Sequence, residues 1–267
     1  MVASALPAIP TEEAVHQALT LWHQSDAHGS PFNELLIWQQ LAQTLDGSLR
    51  RTTNQLLADA FVILAQEDPD CHKVLALRFL EEEPGQRIAN ILHIAEGTVW
   101  RKQREAITRL TAILQEQERR AREQRRARFA ARLETPTYRH LIGVERHLET
   151  LAAQVNQPDH AWLIAIEGLG GIGKTALADA LARHLMGGYQ WQDFAWVTAR
   201  QQVFNGGGAI KPIAKPALTT DALIDALVKQ LLGAEVGTSV LSLEQKRTLL
   251  QQRLRAHGQF NADQVAL

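Results

Sequence analysis

The chain has 267 residues, 45% of them apolar, with 28 basic against 29 acidic side chains and a single cysteine. That apolar share supports packed cores and excludes wholesale disorder, one cysteine excludes an intrachain disulfide framework, and no run approaches the ~18 apolar residues of a membrane span. The near-neutral charge hides a segregation: residues 1–100 hold 5 basic and 13 acidic side chains, residues 101–132 hold 11 and 4, and residues 133–267 hold 12 and 12, a pattern of modules joined by a charged connector. The opening MVASALPAIP lacks the basic region of a secretory signal, so a cytoplasmic location is expected.

Residues 1–56 read as a helical N-terminal region. Leu35, Leu36, Trp38, Leu41 and Leu45 recur at spacings of three and four, the period of one helix face, with breaks at the turn-forming stretches 25–31 and 46–48. His23 and His28 lack the cysteine or clustered carboxylate partners of a metal site and read as surface histidines. These helices are candidates for binding protein partners.

Residues 57–113 divide into a helix through FVILAQ, the break EDPD, a helix CHKVLALRFL, a short acidic loop, a helix PGQRIANILHI and a long helix from about Glu96. Compact helices on short turns have the size of a helix-turn-helix unit. Cys71 falls in the apolar pattern and reads as a small buried residue. Residues 114–136 continue the helical period as an Arg-rich connector. Its pairs Glu116/Arg120, Glu118/Arg122 and Arg119/Glu123 lie at i,i+4, so a solvated, salt-laced helix is expected. The arginines of 119–132 could also form a nucleic-acid arm; the interleaved glutamates favour the solvated helix.

From 137 to 267 the period changes. AWLIAIEG (161–168) is a short apolar run of the kind buried as a central parallel strand, DFAWVTAR (193–200) looks like a second, and a helix from Thr175 to Met186 lies between them. Strand, helix, strand predicts an α/β layer fold. Residues 205–217 read as a loop, followed by helices from about Thr220 and from Ser242; the second opens with the capping box Ser242/Gln245 and stops at Gly258.

The segment from Gly168 to Thr175 fits G-x-x-x-x-G-K-[ST] after an apolar run and before a helix, the context this motif requires. Glycines let successive backbone N–H groups, through Gly170, Gly171, Ile172 and Gly173, turn toward phosphate oxygens, and the helix N-terminus adds its positive end. Lys174 would reach the β- and γ-phosphates, and the Thr175 hydroxyl would ligate Mg²⁺. The wider stretch LIAIEGLGGIGKTALADALARHL resembles the phosphate loop of NB-ARC-type STAND ATPases, the signal-transducing NTPases of disease-resistance and apoptosome proteins and of many bacterial regulators. LIGVERHLETL (141–151) is similar to the segment those proteins carry upstream: Leu141, Ile142, Gly143 and Glu145 match, while Val144 replaces the usual Arg and His147 a common second acid. The resemblance implies that Gly143 lies near the adenine of bound ATP or ADP, and it admits nucleotide-dependent oligomers. DFAWVTAR resembles the family's second strand, with Arg200 at its end read as a surface arginine.

A hydrolytic phosphate-loop protein also needs an apolar strand ending in Asp to hold Mg²⁺. None follows the loop. FVILAQED (61–68) imitates that pattern but precedes the loop and lies in a helical stretch. After Gly258 the chain reads QFNADQVAL, so either the module is truncated or its third strand only begins at Val265. The fold expected is an α/β phosphate-loop NTPase module with an incomplete parallel sheet, preceded by an all-α region with a helix-turn-helix. Nucleotide binding is expected, and turnover is left open.

The stretch DPDCHKVLALRFLEEEPGQRIANILHIAEGTVWRKQREAITRL resembles the helix-turn-helix of region four of bacterial sigma factors, through its VLALRFLE and IANIL helices, the turn at His93 to Ala95, and EGTV opening the second helix. The N-terminal part of such a second helix enters the major groove. Val99, Ala106, Ile107 and Leu110 share one face and should pack inward, leaving Thr98, Trp100, Arg101, Lys102 and Arg104 to meet DNA. Ala95 stands where a Ser N-cap is usual, and Gln103 where relatives often bury an apolar residue. The joint reading is a nucleotide-switched STAND-type regulator of DNA binding. The alternatives are a scaffold or immune-type receptor with nucleotide-controlled assembly, and an ATP hydrolase whose acid lies beyond this chain.

Overall fold

Helix α1 (Glu12–Thr20) starts where the Thr11 hydroxyl accepts from the Ala14 N–H at 3.2 Å, closing one of the amides a helix start leaves open. It is the first helix of a computed structural model that describes residues 9–24, 29–45, 48–136, 138–156, 164–187, 191, 193–199, 202–204, 210–212, 219–233 and 241–258. His28 and Arg200 lie outside the described residues, as do most of the 205–217 loop and the tail after Gly258. The chain divides into two units, with the boundary between Gln124 and Arg125.

In the N-terminal unit α1 is followed by α2 (Leu36–Ala42), α3 (Leu49–Glu67), α4 (Pro69–Leu75), α5 (Gly85–Leu92) and the first part of α6 (Glu96–Ala130). Helix α3 carries the core. Its buried positions Thr53, Leu56, Leu57, Ala60, Phe61 and Leu64 recur at three and four, and they pack with Val15 and Leu19 of α1, Phe32, Trp38 and, from α6, Leu110 and Leu114. One polar group inside is satisfied by its neighbours: Ser30 and Thr53 share a hydrogen bond at 2.7 Å, and the Trp38 indole donates to Thr53 at 3.1 Å, which offsets the cost of burying them. Pro69 opens α4 behind its N-cap Asp68. Helix α4 runs into a π-helical turn, Ala76–Leu80, closed by the Glu81 N–H on the Ala76 carbonyl at 3.0 Å. The turn lets one segment serve two cores, with Leu75 in the main one and Leu77 in a smaller one beneath α5.

The C-terminal unit holds the last turns of α6, then α7 (Glu145–Val155), α8 (Lys174–Gly187), α9 (Thr220–Leu232) and α10 (Leu243–Gly258). Helix α7 packs on α8 and α9 on α10, the latter pair around Ile224, Val228 and Leu250. The capping box at the start of α10 forms in both directions, Ser242 N–H to Gln245 Oε1 at 2.8 Å and Gln245 N–H to Ser242 Oγ at 3.3 Å.

The expected α/β module with a parallel sheet is overturned. The described parts of the two apolar runs, 164–168 and 193–199, carry no strand ladder, and the strands among the described residues are β1 (Gln202–Phe204) and β2 (Ile210–Pro212), paired antiparallel with Val203 opposite Lys211. An apolar run becomes a central strand only when neighbours take its backbone groups. Here the Trp196 N–H donates to the Gln230 side-chain carbonyl at 2.9 Å, and the Gln230 amide donates back to the Trp196 carbonyl at 2.7 Å. A side chain of α9 thus does at Trp196 what an adjacent strand would have done. Ala165, in the first run, is exposed.

The solvated connector is also revised. Its helix forms, and Glu116–Arg120 and Arg119–Glu123 are exposed pairs. Glu118 is instead 2% exposed, because both its oxygens accept backbone amides at the start of α2, Leu36 and Ile37 at 3.0 Å each, while Arg122 donates at 2.6 Å. In the C-terminal unit Phe129 is buried against Phe194, with Arg125, Arg128 and Arg132 each within 6 Å of its ring. Arg125 donates to the Trp191 carbonyl, and Arg132 binds Asp193 and the carbonyls of Phe194 and Gln230. Several of these arginines serve packing and backbone satisfaction, which does not suit a nucleic-acid arm. No helix among the described residues is long and apolar enough to cross a membrane.

Candidate functional site

The loop from Gly168 to Gly173 leads directly into α8, whose first turn opens with the Leu177 N–H on the Gly173 carbonyl at 2.8 Å. Gly171 and Gly173 have φ of 80° and 98°, a region side chains strongly disfavour. A Cβ added at Gly170, Gly171 or Gly173 would meet nothing within 4 Å, so Gly171 and Gly173 are needed for backbone direction while the space over the loop stays open. The Lys174 ammonium folds back to donate to the Gly168 and Leu169 carbonyls at 2.9 Å each. It therefore sits within the loop, at the positive end of a 14-residue helix. Thr175 is exposed in the first turn, and Leu169 and Ile172 project into solvent. A curved open backbone, a helix N-terminus and one lysine fit a phosphate group.

Gly143, at φ 74°, turns the chain into α7, which packs on α8, so this segment is carried on the helix pair that presents the loop. A second tie was not legible in the sequence. The Tyr138 hydroxyl donates to Asp179 of α8 at 2.6 Å, Arg183 pairs with the same carboxylate at 2.8 Å, and Arg183 also donates to the Glu134 carbonyl at 2.9 Å. Desolvation and the Asp179 carboxylate push the Tyr138 hydroxyl up to about 12, so Tyr138 remains a donor. The i,i+4 spacing of Asp179 and Arg183 was a readable signal; Tyr138, 41 residues upstream of Asp179, had none. Asp179 and Asp193, the acids between Lys174 and Arg200, are both held by arginines.

In the N-terminal unit α5, the turn His93 to Ala95 and the start of α6 form a helix-turn-helix. His93 adopts φ 53°, the Ile94 N–H returns to the Ala89 carbonyl at 3.0 Å, and Leu77, Ile88, Ala89 and Val99 make its core with Leu92 and Ile94 beside them. Val99, Ala106, Ile107 and Leu110 are all buried. Among the outward set, Trp100 is 46% exposed, Arg101 and Arg104 are exposed, and Thr98 is half-buried. Lys102 pairs with Asp70 at 2.8 Å, a contact that raises its pKa and spends its charge within the protein. Gln103 keeps its side-chain carbonyl buried with no hydrogen-bond partner.

Ala95 accepts the Val99 N–H as the residue ahead of α6, and an alanine there offers no side-chain acceptor. Ala95→Ser is expected to raise stability by about 1 kcal/mol, read as a higher urea midpoint at unchanged slope.

Asp68, Cys71 and Glu105 bring possible metal-ligand atoms within 4.8 Å of one another, but the cluster is accounted for by the fold. Asp68 caps α4 and pairs with Arg109, which also holds Glu105. Burial pushes the Cys71 thiol up to about 12, the state of an inert buried thiol.

No protein-family model matches the chain, and no solved structure matches it. Curated proteins of Arabidopsis thaliana match a 62-residue stretch, 23% of this chain, among them disease susceptibility protein LOV1 at 42% identity, disease resistance RPP8-like protein 3 at 39% and disease resistance protein RPP8 at 37%. The stretch spans 7% of the length of each of these relatives. This short homology supports the NB-ARC resemblance and gives nothing to the sigma-like helix-turn-helix.

Proposed function

We propose that the chain is a nucleotide-binding signalling regulator of the STAND type, in which Gly168, Gly170, Gly171, Ile172, Gly173 and Lys174 hold the phosphates of ATP or ADP and Thr175 a Mg²⁺ ion. Gly143 belongs to the adenine side of the same site. The observation that carries this reading is the open glycine backbone closed by Lys174 at the start of α8. The triphosphate and its ion would supply charge that the loop N–H groups and Lys174 can neutralise. The reading is one of binding, with a cytoplasmic location, and assigns no turnover.

The output we assign is DNA contact through Trp100, Arg101 and Arg104, supported by the helix-turn-helix geometry and by the exposure of both arginines. Nucleotide can act on that output only if it binds two arrangements of the chain with different affinity. A mobility-shift assay on genomic fragments, with and without MgATP, tests both parts. Arg101→Ala combined with Arg104→Ala is expected to abolish the shift, and an unchanged shift would remove the DNA assignment. The second reading, protein partners on the N-terminal helices as in an immune-type receptor, draws on the names of the relatives. It is favoured if wild-type protein binds nucleotide and no DNA.

A further inference from the structure

Trp100 stands in the first turns of α6 with its ring held from two directions. The bare Cα of Gly85 lies beneath it, so close that an added Cβ would come within 3.2 Å of the ring. The Arg78 guanidinium stacks over it, 5.3 Å from the ring centre. Arg78 is itself fixed, donating to the Glu83 carbonyl at 3.1 Å from the π-helical turn. Three segments, the π turn, the start of α5 and the start of α6, thus cooperate to hold one indole, and yet it is left 46% exposed. A tryptophan held on two sides and left partly uncovered presents an indole whose ordering entropy is already lost, the property that makes such side chains anchors of recognition.

We propose, on the DNA reading above, that Trp100 is a specificity-determining residue that reads the methyl group of a thymine in the major groove, and that Arg78 is the positioning residue that holds its ring. The thymine methyl is the apolar feature of the major groove, and guanine edges are the usual target of arginine. Arg101 lies next to Trp100 and Arg104 one turn later, so the surface is suited to a site that sets a thymine beside guanine.

The test uses the full chain and a 30-base-pair duplex selected from a random pool by wild-type protein. Thymines are then replaced one at a time by deoxyuridine, which lacks only the methyl group. One replacement is expected to weaken wild-type binding about fourfold; Trp100→Ala should bind weakly and lose that sensitivity, and Trp100→Phe, which keeps an apolar ring if alanine disturbs folding, should retain it. Arg78→Ala should also lose the sensitivity while the slope of log affinity against log salt stays as in wild type. A role as a phosphate contact would instead lower that slope by about 1. The inference is overturned if no deoxyuridine replacement weakens wild-type binding, if Trp100→Ala keeps the sensitivity, or if Arg78→Ala changes only the salt slope. If the pool yields no duplex that wild type binds, the DNA reading itself fails.

Discussion

Glu118→Ala is expected to destabilise the N-terminal unit by about 3–5 kcal/mol, the range for removing one partner of a buried, hydrogen-bonded charge pair. Glu118 is 2% exposed and joins three donors, the Leu36 and Ile37 amides and the Arg122 guanidinium. Its loss withdraws the acceptor from two amides at the start of α2 and the carboxylate from Arg122, which is only 13% exposed. It also removes the negative charge that the positive end of α2 favours. Glu118→Gln should rescue little, because the amide offers one accepting oxygen where the carboxylate offers two. Urea unfolding followed by far-UV circular dichroism reads the effect; a loss below about 0.5 kcal/mol, ordinary for a surface position, would show that Glu118 does not act as a buried cap.

Lys174→Ala is expected to weaken nucleotide binding about 10- to 150-fold, which corresponds to the roughly 1.5–3 kcal/mol of a hydrogen bond to a charged group. Fold and helicity should be unchanged, since Lys174 contacts only carbonyls of its own loop and those carbonyls face solvent. Calorimetric titration with ATP and ADP checks this, and equal affinity in wild type and variant would sink the phosphate assignment. Thr175→Ala serves as the companion: it should reduce the Mg²⁺ dependence of binding more than binding without the ion.

What could be read from the sequence was local. The glycine spacing at 168–173 announced a loop ahead of a helix because φ above zero needs glycine within a few residues, and the Ser242/Gln245 box worked because both partners lie in one turn. The inward face of α6 from Val99 to Leu110 followed from its period. What failed was non-local. An apolar run such as 193–199 states that it will be covered and leaves open by what; Gln230, 34 residues on, supplied the pairing at Trp196. Lys102 looked outward by period alone, but Asp70, 32 residues earlier, reaches it. Glu118 and Arg122 had the spacing of a solvated pair, and only the arrival of α2, about 80 residues distant in sequence, turns that pair into an interior one.

The long helix also governs where the molecule can be divided. An expressed fragment ending at residue 113, where the sequence pattern of the helix-turn-helix runs out, would lack Glu118 and Gln115, whose side-chain amide donates to the Pro10 carbonyl ahead of α1. Such a piece would contain every residue proposed to contact DNA and still lose contacts that hold α1 and α2. The fragment boundary that respects the packing of this unit is Gln124, eleven residues and three helical turns later.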